Sequence, residues 1–345
     1  MTGSGMELLI INQLKYNAMK SIINYKTIIT RGLMMIAGAM SGLILQAQDE
    51  AMEAQDKPMK EYAKNTFESV WLIDNQTVMV PIKGTFEFDI SHRFGKVNSE
   101  GNFDLYGLFA PSNIRLGFAY SPLENLYIGT GLTKDGMIWD GSVKYAILRQ
   151  TKNDWSMPIS LTYYGFMSRD MREDPDNSIY RYNTDRFRFF NQLIIARKIT
   201  QRLSVQVAPS LSWQNSVDGY YYNEPTSKQD SFVRAIGNAM EHAHFAIAVS
   251  GRFKITESMS FLANYDQPIT KHTTNNPNPN LSFGFEFGTS GHAFQIFVGN
   301  YRFLNPQRDN LFNRNSPLGY TNSTGQKIEG GNFSIGFNIT RLWNF

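Results

Sequence analysis

The chain has 345 residues, 18% of them charged and 14% aromatic, with 27 glycines and a formal net charge of +3. The lack of any cysteine excludes a disulfide framework, a thiolate metal site and a thiol nucleophile. So small a charge singles out no nucleic-acid partner. Mean hydropathy is −0.34, too polar for a bundle of membrane helices, and the aromatic content is unlike that of an ordinary soluble enzyme. A membrane barrel gives this mixture, because its strands alternate lipid-facing and water-facing residues.

Residues 1–47 predict an export signal. Lys15, Lys20, Lys26 and Arg31 are basic, and no acidic residue lies between Glu7 and Asp49. An apolar run from Gly32 to Leu45 follows, then Ala47 as the small residue before the expected cut, then the charged stretch Asp49 to Asp56. This is the order of a secretory signal, and the run is shorter than the ~20 residues of a spanning helix. Met19-Lys20 offers an alternative start. Residues 48–82 read as a short periplasmic segment. Ala51 to Phe67 is a charged helix or unstructured, and Trp71-Leu72-Ile73 and Thr77-Val78-Met79-Val80 flank the turn pair Asp74-Asn75 as a small hairpin. The hairpin either sits below the barrel or plugs it.

Residues 83–345 predict the barrel. Twelve alternating segments have about the ten residues of a tilted membrane strand: roughly 83–93, 113–121, 125–132, 138–149, 158–168, 185–197, 202–214, 243–254, 258–267, 280–289, 292–301 and 331–345. Short turns such as Ile255-Thr256-Glu257 alternate with longer loops, the asymmetry of periplasmic turns against external loops. In the last segment Phe333, Ile335, Phe337 and Ile339 alternate with Ser334, Gly336, Asn338 and Thr340, and the chain ends on Phe345. Such a terminal strand fits the closing strand of an outer-membrane barrel and a hand-over to the barrel-assembly machinery. The expectation is an all-β fold, a transmembrane antiparallel up-and-down β-barrel of about twelve strands with both termini periplasmic. Rows such as Leu281-Phe283-Phe285-Phe287 would face outer-membrane lipid.

The alternation points a set of charges inward: Glu87, Asp89 and Arg93 from the first segment, Arg115 from the second, Lys144 from the fourth, and Arg186 and Arg188 from the sixth. His244 and Arg252 come from the eighth, Asp266 from the ninth and Glu286 from the tenth. Strand direction puts Arg93, Arg115, Arg186 and Arg188 toward the outer mouth, where rings of cations select anions. The alternative is that these charges pair and brace a closed lumen.

Other constellations carry less. His92 falls on the outward face, where a membrane phospholipase would need a serine within reach; no serine is plainly beside it, and an interfacial ring is the plainer account. Glu241-His242-Ala243-His244 places two imidazoles at i, i+2 on one strand face without a clear third ligand. Asp170, Asp174, Asp176 and Asn177 match no calcium-loop spacing. Gly129-x-Gly131 has no following helix to make a phosphate turn. No cofactor or metal is indicated.

Four stretches, Phe88-Asp89-Ile90-Ser91-His92-Arg93-Phe94-Gly95, Asn191 to Lys198, Ser290 to Gln295 and Phe333 to Arg341, resemble an uncharacterised outer-membrane β-barrel family, a domain of unknown function, of the Bacteroidota. The resemblance runs from about Thr66 to the end. It implies the barrel and the outer membrane, and supplies neither substrate nor catalytic residues. The expected function is a porin-like channel for small polar or anionic solutes, not an enzyme. The alternatives are a closed barrel scaffolding a periplasmic or surface complex, and then a phospholipase.

Overall fold

The computed structural model describes residues 61–97, 105, 107–152, 155–225, 232–289, 291–321 and 325–344. The export signal, the alternative start at Met19, the segment up to residue 60, Ser290 and the terminal Phe345 lie outside the described residues.

Twelve strands close an antiparallel barrel in which each pairs with its chain neighbours and the last returns to the first. A lumen hairpin precedes them, β1 (Trp71–Leu72) and β2 (Asn75–Gln76). The wall is β3 (Thr85–Lys96), β4 (Asn113–Leu123), β5 (Leu126–Thr133), β6 (Ile138–Leu148), β7 (Ser160–Asp170), β8 (Phe187–Lys198) and β9 (Leu203–Gln214). It continues, after an outer hairpin of β10 (Gly219–Pro225) and β11 (Phe232–Asn238), with β12 (Ala243–Lys254), β13 (Met259–Pro268), β14 (Asn280–Gly288) and β15 (His292–Gly299). Helix α1 (Pro306–Phe312) and the two-residue strands β16 (Tyr320–Thr321) and β17 (Lys327–Ile328) precede the closing strand, β18 (Ser334–Asn344). β18 pairs with β15 on one edge and β3 on the other, so no wall edge stays open. That closure satisfies the backbone in lipid, where no water is available to do so.

The predicted faces hold. Phe283, Phe285 and Phe287 of β14 are exposed while Ser282 and Glu286 are buried, and Val205, Val207 and Leu211 face out opposite Ser204, Gln206, Ala208 and Ser210. Apolar side chains bare to solvent on a monomer are the signature of a lipid-facing band. Among the described residues no helix is long and apolar enough to cross a membrane; the crossing is made by strands. Connections at one end are short, such as 199–202 and 255–258, and those at the other end are long, such as 215–242 and 300–333. Thr85 and Asn344, the two ends of the wall, both lie at the short-turn end.

The 61–84 segment enters and leaves at the short-turn end. Ala63 N–H bonds Gln150 O and Gly84 N–H bonds Ser121 O, both at 2.8 Å. Gly84 has φ of +87° where the chain turns from lumen to wall, a conformation that costs glycine little. Between these anchors the hairpin fills the lumen. The predicted turn pair Asp74-Asn75 is displaced by one: Leu72 pairs with Asn75, so Ile73 and Asp74 form the turn. Ile73 takes φ of +59°, which a two-residue hairpin asks at its first central position and glycine usually supplies. For a β-branched residue this is strained. The wall compensates by taking both backbone groups of Ile73: its N–H donates to Gln295 Oε1 at 3.1 Å and its C=O accepts from Asn338 Nδ2 at 2.6 Å. Its fully buried side chain joins Phe67, Leu72 and Val78 against Tyr164, Phe166, Phe190 and Phe297.

Candidate functional site: the plugged lumen

The lumen carries the inward charges, and the hairpin binds them. Asp74 at the hairpin tip reaches Arg93 Nη2 at 2.5 Å, while Arg93 also donates to Asn338 Oδ1 at 3.0 Å and lies over the Phe297 ring. Asn75 Nδ2 donates to Asn264 Oδ1 and Asp266 Oδ1 at 2.9 and 2.8 Å, and its Oδ1 accepts from Gln192. Lys144 Nζ donates to Gln76 Oε1 at 2.8 Å, and Gln206 to the Gln76 carbonyl at 2.9 Å. Glu68, at the hairpin's base, pairs with Arg252 at 3.0 Å. Amide and charged side chains of the wall therefore partner most of the hairpin's polar groups, as buried polar groups require; among the described residues Trp71 Nε1 and Asp74 Oδ2 have none.

A second set of contacts belongs to the wall alone. Arg115 bridges Asp89 at 2.9 Å and Asp140, through two nitrogens, at 2.9 and 2.8 Å. A Cβ at Gly117 would collide with Asp89 and Arg115, and one at Gly131 with Arg115, so the two glycines make room for this clamp. Tyr127 donates to Glu87 at 2.9 Å, and Arg252 donates to Glu286 at 3.2 Å.

From the long-loop end, α1 closes the mouth. Gln307 bonds Ser168, Asn280 bonds Asn310 at 3.2 Å, and Arg308 pairs with Asp135 at 3.0 Å. Asp309 accepts the Phe303 N–H at 2.8 Å and is otherwise buried beneath the helix. Burial, with the Asp74 charge nearby, holds its carboxyl well above the usual carboxylate range.

Glu87, Asp89, Arg93, Arg115, Lys144, Arg252 and Glu286 all face the lumen and are buried. Arg188 shares that face, level with Ser168 and Gln214, and lies over the Phe312 ring of α1. Arg186 departs from its expected place on a strand. It lies in the 3-10 turn Asn183–Arg186 before β8 and donates to the carbonyls of Asp170 and Arg172 at 3.2 and 2.6 Å. The reason is local: the loop from β7 needs a donor for these carbonyls, and the strand begins one residue later. The outer arginines thus form no ring of free cations in this conformation, since Arg93 and Arg115 are held by carboxylates.

The remaining constellations resolve into structural contacts. His92 faces outward, its ring stacked on Phe337 with centroids 5.0 Å apart and packed edge-on against Phe94. His242 and His244 do not share a site: His242 stacks on Trp213, whereas His244 Nδ1 lies 2.9 Å from Nε2 of His272. His272 comes from the 269–279 connection, which sequence spacing could not bring to β12. Asp174 accepts the backbone N–H groups of Ile179 and Tyr180 at 3.1 and 2.8 Å. Burial pushes that carboxyl up, but these bonds and those from Ser178 win and hold it low. Among the described residues, no group of three or more His, Cys, Asp or Glu could hold a metal ion.

Residues 67–343 match the family described as a membrane bound beta barrel domain, DUF5777, of unknown function. The chain belongs to this family. The matched stretch takes in the lumen hairpin as well as the wall. No curated protein matches. Similar solved structures include the COG4313 outer membrane channel from Pseudomonas putida F1, at 9% identity over 77% of this chain and 97% of that one, with a TM-score of 0.40. The Pseudomonas putida toluene transporter TodX is 8% identical over 83% and 95%, TM-score 0.36. The translocator domain of the autotransporter NalP from Neisseria meningitidis is 10% identical over 88% and 95%, TM-score 0.34.

Proposed function

We propose that this protein is an outer-membrane channel for small polar or anionic solutes, held shut in this conformation by its own 66–80 hairpin. The short-turn end, with both ends of the wall, faces the periplasm. The observation that carries this reading is the wall itself. It carries polar or charged residues at every level of its inner face, from Arg252 and Glu286 through Lys144 and Gln206 to Asp140 and Arg93, beside the apolar patch of Tyr164, Phe166, Phe190 and Phe297. Such a lining must be satisfied either by a plug or by water. In this reading the chain performs no catalysis, and its partners are outer-membrane lipid, the barrel-assembly machinery and a small anion.

The test is single-channel recording from the refolded full chain in a planar bilayer under a salt gradient. Sub-denaturing urea loosens the hairpin. Discrete openings with a reversal potential favouring anions are expected. Because the chain lacks cysteine, a Ser69→Cys variant, at a buried position whose hydroxyl accepts the Trp71 N–H within the hairpin itself, reports hairpin release by labelling with a water-soluble maleimide. Labelling without conductance, or silence from a folded barrel throughout, would overturn the channel.

A second reading, the closed scaffold, is favoured by one observation: the hairpin's Phe67, Leu72, Ile73 and Val78 share an apolar cluster with the wall. It predicts no conductance and a co-purifying protein partner.

A further inference from the structure

A cleft of about 650 Å³ opens at the short-turn rim, where Lys198 and Lys254 end the inward rows of β8 and β12. Three separate turns and the strand-free stretch 61–64 line it, and five of the lining side chains are cationic: Lys64, Lys152, Lys198, Arg202 and Lys254. Among the described residues its carboxylates are Glu61 and Glu257. Glu61 pairs with Lys152 at 2.7 Å and Glu257 with Lys254 at 2.5 Å. Both pairs include a side chain more than half exposed, and such pairs contribute little and exchange readily. Lys64, Lys198 and Arg202 form no ion pair among the described residues. Lys198 Nζ makes a single bond, to the Lys64 carbonyl at 2.8 Å, which leaves two of its three protons to donate.

Two hydroxyls add to the donor set. Thr200 Oγ1 accepts the N–H groups of Arg202 and Leu203 at 3.1 and 3.0 Å. Thr256 Oγ1 accepts that of Met259 at 3.0 Å. A hydroxyl whose lone pairs take backbone N–H groups turns its own proton outward, and both threonines line the cleft. Excess positive charge, hydroxyl donors and few acceptors, gathered in a concavity, match an oxyanion. An ordinary solvated rim would spread its cations over convex turns.

We propose that this cleft binds a phosphate group, with Lys64, Lys198 and Arg202 as the charged donors and Thr200 and Thr256 as the neutral ones. Two sources share that chemistry. One is the headgroup of an anionic phospholipid, since the rim lies at the level where the wall leaves the membrane and basic clusters there attract such lipids. The other is inorganic phosphate or a soluble phosphate ester. The site stands whether or not the lumen conducts.

The test uses the full chain in uncharged detergent. Inorganic phosphate is titrated by isothermal calorimetry, and a short-chain phosphatidylglycerol is titrated in parallel and followed by native mass spectrometry. The variants are Lys198→Gln/Arg202→Gln and, as a control at the opposite end, Lys271→Gln. Saturable binding that the double variant weakens at least tenfold and the control leaves unchanged supports the site. Saturation by phosphate alone assigns a soluble ligand, and saturation by the lipid alone assigns a headgroup. No saturable binding of either probe, or equal binding by the double variant, overturns the proposal. Heat-modifiable migration confirms that each variant is folded, so a loss of binding is not a loss of the barrel.

Discussion

Asp74→Ala should open the barrel without unfolding it. The Asp74 carboxylate is the hairpin's contribution to the ion pair with Arg93. The other partners of Arg93 belong to the wall: the carbonyl of His92 at 2.7 Å, Asn338 Oδ1 at 3.0 Å and the ring of Phe297. Truncation removes the hairpin's share of the bond and leaves the guanidinium fixed in place. Breaking a buried pair costs about 3–5 kcal/mol when the stranded charge has no other partner. Here wall acceptors remain, so the better measure is one hydrogen bond to a charged group, roughly 1.5–3 kcal/mol. About 2 kcal/mol, at 1.4 kcal/mol per factor of ten, shifts the closed-to-open ratio by about 30-fold.

The assay is open probability in planar bilayers, with urea unfolding of the same preparation as the control for wall stability. A double-mutant cycle with Arg93→Met isolates the pair. Either single variant should open the barrel, and the double variant should open it no further. Unchanged opening of Asp74→Ala in a folded barrel, or additive effects in the cycle, would refute the claim that this ion pair holds the hairpin.

Arg115→Met should act on the wall instead, stranding the buried Asp89 and Asp140 carboxylates and lowering barrel stability by about 3–5 kcal/mol in urea unfolding. Gly117→Ala should approach the same result by displacing the clamp. The Asp309 carboxyl, raised by burial and by Asp74, binds its proton more tightly when α1 is docked. Docking is therefore strongest in acid and weakens as pH rises past the unfolded carboxylate range of about 4. Asp309→Asn should abolish that dependence, as read by protease protection of the 300–333 connection against pH. His272 is shifted downward from an ordinary imidazole: burial, helped by Arg314 and opposed by Glu241, lowers its pKa. Its Nδ1 accepts the Glu241 N–H at 3.0 Å, which a protonated ring cannot do. The stability it lends is present above the unfolded value of about 6.5 and is lost as pH falls, so the protection factor of the Glu241 amide, referred to the intrinsic exchange rate at each pH, should fall in acid.

The wall was legible in the sequence because period-two alternation encodes both the element and its faces. β12 matches its expected bounds of Ala243 to Lys254, and most other strands match to within two residues. What alternation does not encode is which polar groups meet across the lumen. Gln192, Gln206, Gln295, Asn264 and Asn338 read only as inward and polar. Their role as amide partners of Trp71 to Gln76 depends on a hairpin that the sequence marks but does not place in the lumen, and whose two-residue strands are too short to fold without the wall. α1 is likewise seven residues long, below what propensity sustains alone. It exists because Ser168, Asn280 and Asp135 receive it. Arg186 went astray for a related reason: at a strand's first residue, one position separates a lumen face from a turn.

The division between wall-only and hairpin-to-wall contacts decides what selectivity the open barrel would have. Withdrawal of the hairpin breaks Arg93 from Asp74 and Lys144 from Gln76, but leaves Arg115 between Asp89 and Asp140 and Arg252 on Glu286. The cations released toward the lumen are then Arg93 and Lys144, and Arg188 joins them once α1 lifts Phe312 from it. Arg115 lines the same lumen but stays neutralised. Arg93→Gln/Arg188→Gln should accordingly move the reversal potential toward non-selectivity in urea-opened channels, because rings of unpaired cations set anion preference. Arg115→Gln should leave it in place while destabilising the barrel. Anion preference that survives the first variant and disappears with the second would invert this assignment and make the clamp, not the freed arginines, the selective element.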